Sequence, residues 1–62
     1  MEAQFCVKEQ DYEKLKEIVR KYNSLRFTYE PQLIGSQYYI YIDGEVTDYN
    51  SFNQEKYNIL GY

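Results

Sequence analysis

The sequence predicts a small two-layer α+β domain of βαββα order, with a three-stranded, mostly antiparallel sheet in spatial order 2-3-1 and two helices on one face. Three observations carry this expectation. Residues 3 to 8 alternate apolar and polar, residues 12 to 22 repeat at helical spacing, and Gly35-Ser36 separates two further strand-like stretches. With 62 residues, the chain buries only about 60% of the surface exposed by its unfolded form, so residues 1 to 62 are read as a single domain. Hydrophobic residues make up 44% of the chain and aromatic residues 19%, which sets it apart from disordered sequences. Cys6 is the lone cysteine and there is no histidine, so neither a disulfide nor a standard zinc site can reinforce so small a core. Close packing of nine tyrosines, or self-association, is left to do so.

In the first strand Ala3, Phe5 and Val7 share one side, and Gln4, Cys6 and Lys8 share the other. From about Gln10 the period lengthens, and Tyr12, Leu15, Ile18, Val19 and Tyr22 form the inner stripe of a helix. Asp11 or a residue just before it is expected to cap this helix. Glu13 and Glu17 can pair with Lys16, Lys21 or Arg20, and Asn23-Ser24 supplies the stop. Residues 25 to 34 and 37 to 42 then read as a hairpin, with Gly35 at the first central position of a type II′ turn. A two-residue loop pairs Leu33 with Tyr38, Pro31 with Ile40 and Tyr29 with Ile42 on the inner side. It pairs Glu30 with Tyr41, Gln32 with Tyr39 and Ile34 with Gln37 on the outer side. Pro31 lacks an N–H, which assigns its strand to the sheet margin or to a bulge. Extending the chain into another long strand through Asp43-Gly44 would place Glu45 beside Ile42. The expected continuation is therefore a second helix, capped by Thr47 or Asp48, with Tyr49, Phe52, Lys56 and Ile59 or Leu60 inside and Gly61 at its C-terminal end. The first strand is placed beside the third and antiparallel to it.

The net charge of -3 is unevenly spread. Residues 1 to 26 hold six basic and five acidic side chains, whereas residues 27 to 62 hold Lys56 against Glu30, Asp43, Glu45, Asp48 and Glu55. Such an acidic, tyrosine-rich half is the wrong sign for a nucleic-acid footprint. No apolar run is long enough for a membrane span, and Met1-Glu2-Ala3-Gln4 lacks the character of a secretion signal, so a cytoplasmic location is expected.

Catalysis is not expected. Without histidine there is no ready near-neutral base, and a cysteine with no histidine partner is a poor nucleophile. The carboxylates fall in turns and on helix surfaces, where solvation explains them. Asp43-x-Glu45 with Asp48 lacks the ligand series of a calcium loop, and Gly35 and Gly44 are isolated turn glycines, so no metal or cofactor is assigned. Cys6 is expected on the open face beside Lys8, either as a reactive thiol or as a small half-buried hydrophobe.

The tyrosines are the functional signal. Tyr12, Tyr22, Tyr29, Tyr38, Tyr49 and Tyr57 are assigned to packing, whereas the alternation with Tyr38, Ile40 and Ile42 puts Tyr39 and Tyr41 on the uncovered face. Their expected neighbours include Gln32, Glu30, Arg26 and Lys8. Adjacent exposed tyrosines form a binding hot spot, or enter cross-strand pairs that simply steady a small sheet. The expected function is a non-catalytic protein-binding module, such as a small acidic inhibitor of phage or mobile-element type with a basic partner. Single-stranded nucleic-acid binding through the aromatic face, and a structural homodimer, are the alternatives.

Overall fold

In the computed structural model, which describes residues 1–62, the α+β class and the two helices hold, but the sheet has four strands. The elements in chain order are β1 (Glu2–Lys8), a short 3-10 turn (Glu9–Asp11), α1 (Tyr12–Arg20), β2 (Arg26–Phe27), β3 (Gln32–Ile34), β4 (Gln37–Asp43) and α2 (Val46–Leu60). β4 lies between β1 on one side and β2 and β3 on the other, and every pairing is antiparallel.

The expected second strand is thus broken into β2 and β3, which corrects the three-stranded order 2-3-1. Leu33 faces Tyr38 and Gln32 faces Tyr39, as the two-residue turn requires. Gly35 has φ 66° and no non-glycine residue has a positive φ, the sign pattern of a type II′ turn. Farther along, however, Phe27 and not Tyr29 pairs with Ile42, and the Thr28 N–H donates to the Tyr41 carbonyl at 2.9 Å. Between Gln32 and Phe27 the chain takes five steps while β4 takes three, from Tyr39 to Ile42. The surplus bulges out at Tyr29, Glu30 and Pro31. Pro31 suits this stretch, since it cannot donate to a ladder and biases the backbone of the residue before it. Because the surplus is even, alternation is preserved and Phe27 keeps the inner side. The expected pairs Tyr29 with Ile42 and Glu30 with Tyr41 are not formed.

Beneath the sheet, Val7, Ile40 and Ile42 meet Leu15, Ile18 and Val19 of α1, Leu25 of the following loop and Phe52 of α2 in one buried cluster. Phe5, Phe27, Tyr12, Tyr22, Tyr38, Tyr49 and Leu60 pack around it. Burying a side chain of the size of Phe52 contributes about 2–3 kcal/mol. Tyr12 stacks on Tyr38 with ring centroids 3.8 Å apart, fastening α1 to β4.

Polar contacts fix the helices, and several differ from expectation. Asp11 stands at the N-cap of α1 but makes no side-chain cap bond; its carboxylate accepts the Tyr62 hydroxyl at 2.9 Å. Helix α2 starts ahead of Thr47 and Asp48, with Glu45 at its N-cap. Asp48 accepts both the N–H and the hydroxyl of Ser24, and Ser24 Oγ accepts the Glu45 N–H at 3.0 Å, so the α2 entrance is tied across the fold. Glu13 pairs with Lys16 at 3.1 Å, but Lys21 reaches Glu55 of α2, whose other oxygen accepts the Tyr22 hydroxyl at 2.6 Å. These contacts hold the Glu55 carboxyl below the usual carboxylate range, the Lys21 bond foremost. Gly44 is required sterically, since a Cβ there would lie 2.8 Å from the Ser24 carbonyl oxygen and 2.6 Å from Leu25. Gly61 ends α2 in the left-handed conformation at φ 92°. No helix is long and apolar enough to cross a membrane.

Candidate functional site

Both helices lie under one face of the sheet, and the other face is left open. Along β4 the contrast is sharp: Ile40 is 0% exposed, whereas its neighbours Tyr39 and Tyr41 are 39% and 38% exposed. Tyr39 faces Cys6 on one side and Gln32 on the other, and Tyr41 faces Gln4. In the outermost rows Ile34 pairs with Gln37, and Asp43 stands between Glu2 and Arg26.

The bulge adds a residue that the sequence had assigned to packing. Tyr29 is 64% exposed and its ring meets Tyr41 edge-on, with centroids 5.5 Å apart. Its signal was present in Pro31, whose requirement for an edge or a bulge implied that the register need not continue through position 29. Tyr57, also assigned to packing, is exposed as well, with the Lys56 ammonium 4.9 Å from its ring centre.

Tyr39 and Tyr41 form a ridge between two shallow depressions. One, of about 180 Å³, is lined by Gln4, Phe5, Cys6 and Ile40 together with the two tyrosines. The other, of about 470 Å³, is lined by Tyr29, Glu30, Gln32 and Ile34 with the same two rings. The second combines aromatic edges and faces with a single carboxylate. Such a lining suits a cationic side chain, because a ring quadrupole and an acid both attract positive charge.

Of the residues expected at the site, Tyr39, Tyr41, Gln32 and Glu30 are brought together here. Arg26 lies at the far corner of the same face, opposite Asp43. Lys8 is drawn elsewhere: its ammonium sits 5.2 Å from the ring centre of Tyr62, and its backbone N–H donates to the Tyr62 hydroxyl at 2.7 Å. Asp43, Glu45 and Asp48 do not converge. Asp43 lies 3.8 Å from the Met1 amino group, Asp48 is engaged by Ser24, and no cluster of acidic, cysteine or histidine side chains suited to a metal forms anywhere in the chain.

A second aromatic assembly, unforeseen in the sequence, surrounds Lys56. This lysine is only 7% exposed, lies over the rings of Phe5, Tyr57 and Tyr62, and donates to the main-chain oxygen of Tyr62 at 2.6 Å. Burial lowers its pKa from the ordinary lysine value. Tyr62 shifts upward, chiefly by burial. The cage is filled by the chain's own ammonium and acts as packing.

No protein-family model matches this chain, and no curated protein or solved structure shows significant similarity to it.

Proposed function

We propose that this chain is a non-catalytic protein-binding module that receives a lysine or arginine side chain of its partner on the open sheet face. The observation that carries the reading is the depression in which Tyr29, Tyr39 and Tyr41 stand around Glu30, on the one face of the sheet that no helix covers. Tyrosine gives large contact area at low conformational cost, and a carboxylate at the rim adds a direction for positive charge. Where that basic side chain belongs to the partner's own working surface, the module would inhibit by covering it.

Single-stranded nucleic acid is less well served by the same surface. Base stacking needs cations beside the rings, but Lys8 is held over Tyr62, while Glu30 borders the tyrosines.

Titration with blocked arginine and lysine peptides, followed by two-dimensional NMR, tests the proposal. Shifts are expected at Tyr29, Tyr39 and Tyr41, and Glu30→Gln is expected to weaken binding several-fold while leaving the thermal melt unchanged. Shifts absent from these residues overturn the reading. So does a stronger response of the same residues to a mixed single-stranded oligonucleotide.

A further inference from the structure

The free edge of β1 has an alternation that can be read from its ends. Met1 and Gly44 exchange both backbone bonds, at 2.7 and 3.0 Å, and the Glu9 N–H donates to the Ser36 carbonyl at 3.0 Å. In this register the odd-numbered residues of β1 turn their N–H and C=O groups toward β4, and the even-numbered ones turn theirs outward. The Lys8 N–H confirms the direction, since it bonds Tyr62 rather than β4. Glu2, Gln4 and Cys6 are therefore left with outward N–H and C=O groups that have no partner within the chain.

Exposed strand edges are ordinarily blunted by bulges, proline or short length, and the opposite edge of this sheet has all three. Edge β1 has none. It runs seven residues in unbroken register, and its charges are confined to its two ends, Glu2 and Lys8.

We infer that the occupant of this edge is a second copy of the same chain, with the two β1 strands antiparallel about a two-fold axis at Gln4. This register sets Gln4 against Gln4 of the second copy and Glu2 against its Cys6. Every unpaired N–H and C=O of Glu2, Gln4 and Cys6 on both edges then gains a partner. Pairing stops short of Lys8, whose N–H Tyr62 already holds, so Tyr62 stays where it is and sets the length of the ladder. Glu2 lies diagonal to Lys8 of the second copy on the same face, within reach of long side chains. A parallel arrangement would bring like charges together. The antiparallel dimer has one continuous sheet and carries two tyrosine faces side by side, so the inference stands independently of what those faces bind.

Light scattering over a concentration series, combined with cross-linking, tests it. Wild-type protein is expected to show a concentration-dependent dimer. In Gln4→Cys/Cys6→Ser, oxidation is expected to join the two thiols at position 4, because directly opposed strand residues lie within disulfide reach; wild-type Cys6, set far from its own copy, is expected not to cross-link. Gln4→Pro removes an outward N–H without touching the β1–β4 ladder, and is expected to give a folded monomer. Should that variant fail to fold, Glu2→Lys supplies the same test. It is expected to weaken the dimer several-fold, and adding Lys8→Glu is expected to restore it. A monomer at all concentrations overturns the inference, as does a dimer that persists in Gln4→Pro and does not cross-link at position 4.

Discussion

Along β1 the pairing with β4 runs unbroken through seven residues, whereas on its other side β4 is met by a two-residue β2 and a three-residue β3 separated by a bulge. The two margins do different work. The irregular one absorbs a proline that cannot join a ladder, and in doing so re-aims Tyr29 from the core to the open face. The regular one keeps every side chain in register and leaves a row of backbone groups facing outward. A break in pairing is thus the feature that builds the tyrosine cluster, and an absence of breaks is the feature that leaves an edge able to accept another strand.

The largest expected difference between the two margins is in support from below. Phe52 is fully buried and lies 5.9 Å from Phe5 of β1, so Phe52→Ala is expected to cost about 3–5 kcal/mol, most of the stability of so small a domain. Phe27, half-buried on β2, should cost roughly 2 kcal/mol when cut to alanine, being a partial version of the same loss. Urea unfolding of the two variants measures the contrast, and equal costs would remove it.

A smaller effect comes from Lys56, which underlies the regular margin through Phe5 and Tyr62. Its folded pKa lies below the ordinary lysine value, so between those two values the unfolded chain carries a proton that the folded chain has lost. Stability therefore rises with pH across that window. Lys56→Met is expected to abolish the rise. Thermal melts kept below about pH 9.5, short of the ordinary tyrosine range, test this without interference from Tyr62, whose raised pKa acts in the opposite sense at higher pH.

The smallest expected effect is at Pro31. Replacing it with alanine restores a donor, but the pairs Phe27 with Ile42 and Leu33 with Tyr38 still enclose the same surplus of residues. Pro31→Ala is accordingly expected to leave stability within about 1 kcal/mol and the bulge in place. Amide exchange at Tyr29, Glu30 and position 31 reports it: new protection there would mean that proline alone breaks the strand.

Much of this arrangement was legible in the chain. Alternation of Ala3, Phe5 and Val7 against Gln4 and Cys6 located β1 and its faces, and the spacing of Tyr12, Leu15, Ile18 and Val19 located α1. The separation of Tyr39 and Tyr41 from Ile40 and Ile42 marked the open face. Tyr29 was misplaced because a register counted from the turn at Gly35 accumulates any insertion unseen, and only the pairing of Phe27 with Ile42 reveals it. Asp11, Asp48 and Lys21 were assigned to partners on their own helices. Each instead contacts a distant segment, namely Tyr62, Ser24 and Glu55.

What the sequence determined by itself is what short-range periodicity governs: the element types, the buried stripes of β1, β4 and α1, and the turn and helix stops at Gly35 and Gly61. Tertiary structure alone decided where the strand breaks, the rings that enclose Lys56, and the direction of the free N–H groups of β1. Those depend on contacts between residues far apart in the chain, such as Lys8 with Tyr62 and Met1 with Gly44. Pattern within one segment specifies which side a residue faces, but which partner meets it there is fixed by the packing of all the segments together.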